Sequence, residues 1–249
     1  IMKTINLVHS ELRKLTTTRM PVAFGAVIAL LAAINGVAVV AGTDMDGSKT
    51  FISTGLDQQS LMAFAANALM LAGLFGATAT AREYAQGTVI ATYLITPDRP
   101  RAVRAQFAAV AVGGGVLGLA GAALTALAVA VALPFTDYGF MVSAGGLAQV
   151  LAASAWAGAA GAVLGAGIGT VVRNTGGAVT GAVVALVIAP PVVVQLASGA
   201  APWVPTTLAH VASGVAEDTG TIAAVVAIGL WALVPALAGV WSVEHRDVV

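Results

Sequence analysis

Charged residues cut this chain into six long uncharged runs: Met20–Thr43, Gln58–Ala81, Ala105–Thr136, Tyr138–Val172, Asn174–Ala216 and Thr219–Val243. Each exceeds the roughly 20 residues that an α-helix needs to cross about 30 Å of hydrocarbon. The runs are rich in Ala, Gly, Leu and Val. They lack the period-2 alternation, in segments of about ten residues, that marks membrane strands. Helices satisfy their own backbone in lipid, so the expected fold is an all-α polytopic membrane protein. Six transmembrane helices are expected at about 21–42, 60–81, 106–133, 145–172, 177–197 and 221–242 in a single domain, 1–249.

Composition excludes the alternatives. Only 9% of the 249 residues are charged, against about 25% in soluble domains. Mean hydropathy is +0.94. The formal net charge is zero and no basic block exists, so nucleic-acid binding is not expected. With no Cys, disulfides, thiolate nucleophiles and zinc ribbons are excluded. The apolar run after Arg19 is longer than the 7–15 residues of a signal-peptide core, so it is expected as a first crossing.

Lys and Arg set the expected orientation. With the N-terminus inside, the inner segments hold Lys3, Arg13, Lys14, Arg19, Arg82, Arg99, Arg101, Arg104, Arg173 and Arg246. Only Lys49 falls outside, with Asp44, Asp46, Asp57, Asp137, Glu217 and Asp218. This bias predicts that both termini are cytoplasmic. Trp203–Ala216 is too short to cross, so 199–218 is expected as a short outer interfacial or re-entrant helix. Phe135, Tyr138, Phe140, Trp203 and Trp241 fall near the expected interfaces, where aromatic belts belong.

Residues 3–19 read as an interfacial helix. Ile5, Val8, Leu12 and Leu15 share one face, and Lys3, Asn6, Ser10, Arg13, Lys14 and Thr17 are polar. A plain basic flank to the first crossing is the alternative. The segment 82–101 carries much of the inner charge and is too long for a tight connection. Glu83–Ile95 reads as an amphipathic cytoplasmic helix ended by Pro97, a lever for a soluble partner or a helix resting on headgroups.

The order of these motifs carries a resemblance. A basic N-terminal helix with E-L-x-K (Glu11, Leu12, Lys14) precedes the first two crossings. R-E-x-x-x-G-T-x-x-x-T (Arg82, Glu83, Gly87, Thr88, Thr92) and P-x-R (Pro97, Arg99) then precede the third. In this order the chain resembles a permease of the type-2 ATP-binding-cassette family, the transmembrane subunit of a bacterial exporter. Six crossings, a short helix before the sixth and a short charged tail extend the likeness over nearly the whole chain. Arg104 stands where the family often has Lys at the foot of the third crossing. The resemblance implies that 82–101 is a coupling helix docking on an ATPase, with Arg82, Glu83, Tyr84, Gly87, Thr88, Thr92, Pro97 and Arg99 at or near the contact. It also implies two ATPase subunits that carry the ATP and Mg, a second permease copy or a similar permease, and the bacterial cytoplasmic membrane.

The chain itself has no G-x-x-x-x-G-K-[ST] loop, so ATP hydrolysis is expected on a partner and this chain is not expected to be an enzyme. His9, His210 and His245 are isolated, and no metal site or bound cofactor is expected. The crossings contain no ionisable residue at depth. Ion-driven carriers usually place Asp, Glu or His there, so uphill transport would draw its energy from outside the crossings.

Small-residue ridges (Gly114/Gly118, Gly161/Gly165/Gly169, Gly177/Gly181) allow close helix approach, within one subunit or between two. Asn35, Asn67, Gln149, Ser154 and Gln195 are the polar residues available to a substrate path, and each could instead serve as an interhelical hydrogen bond. Pro190-Pro191 is expected to kink or break the fifth crossing. A facilitator working without ATP and a non-transporting immunity or assembly protein remain the alternatives.

Overall fold

The computed structural model describes residues 4–95 and 98–246. Lys3 and Pro97, both read from the sequence above, lie outside the described residues. Helices make up the fold, and no strand occurs among the described residues. Among the described residues, six segments are long and apolar enough to cross a membrane: Met20–Ala41, Gly55–Ala85, Arg99–Phe135, Ala144–Val172, Thr175–Leu196 and Thr221–His245.

The helices in chain order are α1 (Thr4–Thr17), α2 (Met20–Ala41), α3 (Gly55–Met62), α4 (Ala65–Ala85), α5 (Thr88–Ile95), α6 (Arg99–Ala132), α7 (Ala144–Val172), α8 (Thr175–Val183), α9 (Ala189–Leu196), α10 (Pro205–Ala212) and α11 (Thr221–His245). α7 is the central post, packed along α4, α6 and α11. α2 lies against α6, and α8 against α4 and α7.

Glycine makes the centre possible. A methyl group on Gly165 would overlap the Gly73 carbonyl, one on Gly76 the Ala162 carbonyl, and one on Gly161 the Leu69 carbonyl. The α6–α7 contact repeats the device: Gly114 and Gly158 meet reciprocally, and Gly118 meets the Ser154 carbonyl. Gly177 and Gly181 pack against Val172 and Ile168 of the neighbouring α7. These ridges therefore pack within one chain, by the close backbone approach that apolar surroundings favour.

The second and third crossings start earlier than the sequence expectation. The second begins with α3. Thr54 and Asp57 form a reciprocal capping box there: the Asp57 N–H donates to Thr54 Oγ1 at 3.1 Å, and the Thr54 N–H to Asp57 Oδ2 at 3.0 Å. The third helix runs unbroken from Arg99 because Asp98 caps it, accepting from the Arg101 N–H at 3.1 Å. The segment 82–101 is thus three pieces, namely the end of α4, α5, and the start of α6.

The fifth crossing is not broken at its proline pair. A π-helical turn, Val184–Ile188, leads directly into α9, and the Ala189 N–H bonds the Val184 carbonyl five residues back. Widening the turn absorbs the missing donors and ring bulk of Pro190 and Pro191. The short helix before the last crossing is α10, preceded by a 3-10 stretch at Ser198–Trp203. It buries Leu208, Ala209, Val211 and Ala212 and packs against α11 and α4.

The two ends of the bundle differ in charge. Lys14 of α1 meets α4 and α5, and Arg173 at the end of α7 meets the end of α11, so these elements share one end. That end collects the Lys and Arg residues and is called the basic end. The other, acidic end carries Asp44, Asp46 and Asp57. Lys49, the cation beside them, donates to the Val39 carbonyl at 3.1 Å and to the Val40 carbonyl, capping the negative C-terminus of α2.

Candidate functional site at the basic end

α4 stops at Ala85 because Gly87 holds a left-handed φ of +68°, which costs glycine little and other residues more. The Gln86 and Gly87 N–H groups close the turn on the Arg82 and Tyr84 carbonyls at 2.9 and 3.1 Å. α5 restarts at Thr88, whose hydroxyl donates to the Glu83 carbonyl at 3.3 Å.

α1 is tied to this turn by one lysine. Lys14 Nζ lies 2.6 Å from Glu11 Oε1, 3.5 Å from Glu83 Oε1 and 3.3 Å from Thr92 Oγ1. The side chains of Glu11 and Glu83 are only 8% and 18% exposed, whereas that of Lys14 is 43% exposed. Two carboxylates are thus held against the protein by a single, more accessible ammonium. Burial lowers the pKa of Lys14, but the Glu11 hydrogen bond and the Glu83 and Glu11 charges outweigh it and raise it above the usual lysine range. Gln106 of α6 lines the small gap between Glu11 and Glu83.

Around this tie lies an open cavity of about 480 Å³ between α1, α4 and α5. Lys14, Thr17, Arg82, Glu83, Thr88 and Thr92 give it polar groups, and Leu15, Met20, Ala79 and Ala91 give it apolar wall. Beside it, the Tyr84 and Tyr93 hydroxyls lie 3.1 Å apart. Arg173 stacks over the Tyr84 ring and Arg99 over the Tyr93 ring, at 5.5 and 5.7 Å. Arg173 also donates to the Ser242 carbonyl at 3.1 Å, so α4, α7 and α11 meet here. Burial is the main force raising the Tyr93 phenol above its usual range, which keeps it a neutral hydrogen-bonding group.

Arg82, Glu83, Thr88 and Thr92 therefore come together around one cavity, with Gly87 as their turn, while Tyr84 and Arg99 form the flanking aromatic cluster. Glu11 and Lys14, which the sequence placed on α1 apart from the contact set, prove to be its partners. Their i, i+3 spacing was the available signal. Gln106, Tyr93 and Arg173 gave none.

The five path candidates do not converge. Asn35 donates to the Leu31 carbonyl of its own helix at 3.0 Å. Gln149 donates to the Ala212 carbonyl at 3.2 Å. Ser154 is buried with its hydroxyl unpartnered, Asn67 is half-buried and Gln195 is exposed. None of the five lines the cavities described here. No group of three His, Cys, Asp or Glu placed to hold a metal occurs among the described residues.

Compared with known proteins, the chain matches no family model and no curated protein. What the basic end can do follows from its geometry. An ion-paired helix, a glycine turn and a cavity join a short lever, α5, to α4, whose other face is locked onto α7 by backbone contact.

Proposed function

We propose that this chain is the permease subunit of an ATP-driven exporter of the type-2 ATP-binding-cassette kind. It sits in a bacterial cytoplasmic membrane with both termini inside. Two copies, or this chain and a similar permease, enclose the pathway. Two separate ATPase subunits, holding ATP and Mg, dock against the α4–α5 turn. The observation that carries this reading is the Lys14 tie, because it joins the two resembling motifs, E-L-x-K and R-E-x-x-x-G-T-x-x-x-T, across 69 and 78 residues of sequence.

The mechanics follow from the packing. A push on α5 acts on Gly87 and on the Lys14 tie. It reaches α4 at Glu83 and passes to α7 through the Gly73–Gly165 contact without side chains to absorb it. The cavity gives α5 room to move toward α1.

The test is co-purification of the chain with a separate P-loop ATPase, followed by reconstitution in liposomes. Transport is expected only with that ATPase and ATP. Gly87→Pro with Glu83→Ala should disrupt the α4–α5 turn, because proline cannot take the positive φ or donate to the Tyr84 carbonyl, while the α4–α6–α7 centre stays folded and ATP turnover no longer drives flux. Flux from this chain alone would favour a facilitator, and coupling unchanged in the double variant would overturn the scheme.

A further inference from the structure

A second cavity lies at the basic end, apart from the α4–α5 turn and independent of the function proposed above. It holds about 310 Å³ between α1 and the foot of α6, and Val8, Asp98, Arg101, Arg104, Ala105 and Ala108 line it. Its charge is lopsided. Asp98 is the one carboxylate on the wall, and it is engaged in capping α6 through the Arg101 N–H. Arg104 is exposed and forms no ion pair among the described residues.

What lies beyond the arginines names the ligand class. Arg104, Ala108, Val112 and Val116 recur every four residues and are all exposed, so they form one lane down α6. Val112 and Val116 are 51% and 59% exposed, which leaves a continuous apolar surface that none of the described residues covers. From Arg104 to Val116 the helix rises about 18 Å, against about 15 Å for the hydrocarbon of one leaflet. A cation at the top of an apolar lane one leaflet long fits an amphiphile with an anionic head and an acyl tail. A free anion would use Arg104 alone, and a neutral lipid would leave the Arg104 charge without a counter-charge. Val8 closes the head end from the α1 side, and Ala105 and Ala108 leave room there because they carry only a methyl group.

We infer that this cavity and lane bind a membrane lipid with an anionic phosphate headgroup, with Arg104 on the phosphate and the acyl chain along Ala108, Val112 and Val116. Such a lipid would fix α1 to the foot of α6 from the membrane side.

The experiment is native mass spectrometry of the full chain in mild detergent, with phosphatidylglycerol, phosphatidylcholine or inorganic phosphate added in turn. Phosphatidylglycerol should be retained, and the other two should not. Arg104→Gln should weaken retention about fivefold, the effect of one arginine near an anionic surface, while Arg13→Gln, outside the cavity, leaves it unchanged. Ala108→Phe keeps the arginine and blocks the lane, and it should lose phosphatidylglycerol with the unfolding temperature of the lipid-free protein unaltered. Equal retention of phosphatidylcholine or free phosphate overturns the inference. So does undiminished binding by Arg104→Gln or Ala108→Phe, or a dimer that Ala108→Phe dissociates, because a second copy would then cover the lane.

Discussion

The acidic and basic ends of this bundle are closed by different chemistry. At the acidic end, neutral amides clip backbone to backbone. Gln58, fully buried, donates to the Ile52 and Gly139 carbonyls at 3.1 and 2.9 Å and accepts from the Met141 N–H at 2.9 Å. Gln59 reaches the Ser213 carbonyl at 2.8 Å, and Gln149 the Ala212 carbonyl. At the basic end, a partly exposed lysine bridges two carboxylates beside an open cavity. Satisfied amides are indifferent to salt and pH, whereas an ion cluster near solvent responds to both. The contrast sets an end closed by satisfied amides against one whose closure responds to salt and pH, and the proposed motor would act at the second.

The largest effect should come from breaking the amide-closed end. Gln58→Leu strands two carbonyls and an N–H among apolar neighbours and should cost about 3 kcal/mol of stability, read as a lowered unfolding temperature in detergent. Next is Lys14→Met, which leaves Glu11 and Glu83 facing each other. Because Lys14 is part-exposed, the loss should be about 1 kcal/mol. Hydrogen exchange should rise in α1 and α5 while the Gln58 contacts stay protected.

Salt and pH sharpen the same contrast in the unmodified protein. At 1 M salt, where screening acts over about 3 Å, exchange should rise at α5 and not around Gln58. A raised lysine pKa stabilises the fold fully below the unfolded value of about 10.4, and that contribution is lost as pH rises through the folded value. Alkali should therefore loosen the α1–α5 tie and leave the amide clips alone. The smallest effect belongs to Asp44, whose pKa is lowered first by the Thr50 hydroxyl and then by the Thr50 and Ser48 hydrogen bonds. Its contribution is present above about 3.9 and disappears as pH falls through the lowered value. Asp44→Asn should raise exchange only within 44–50, with the unfolding temperature unchanged.

Much of the architecture was legible because charge and hydropathy act along the chain. Runs bounded by Arg19, Asp57, Arg82 and Arg173 became helices long and apolar enough to cross a membrane, and Gly161 and Gly165 sit where their spacing suggested close contact. What lay across the chain was not legible. α1 packs on α6 and is tied to α4 and α5 through Lys14, so the apolar stripe read from Ile5, Val8, Leu12 and Leu15 overlooked the buried Leu7 and Glu11 beside it. Glu83–Ile95 read as one helix because nothing in composition shows that Gly87 takes a positive φ. Asn35 and Gln149 looked like path residues because polarity in an apolar run has no direction until the nearest carbonyl is known.

The central claim is that the α4–α5 turn faces the cytoplasm, where a motor can reach it. The chain has no native cysteine, so one cysteine at the exposed Gln86 of that turn reports its side of the membrane. Gln86→Cys should resist a membrane-impermeant thiol reagent in intact cells and react in inside-out vesicles. Labelling in intact cells would contradict the account.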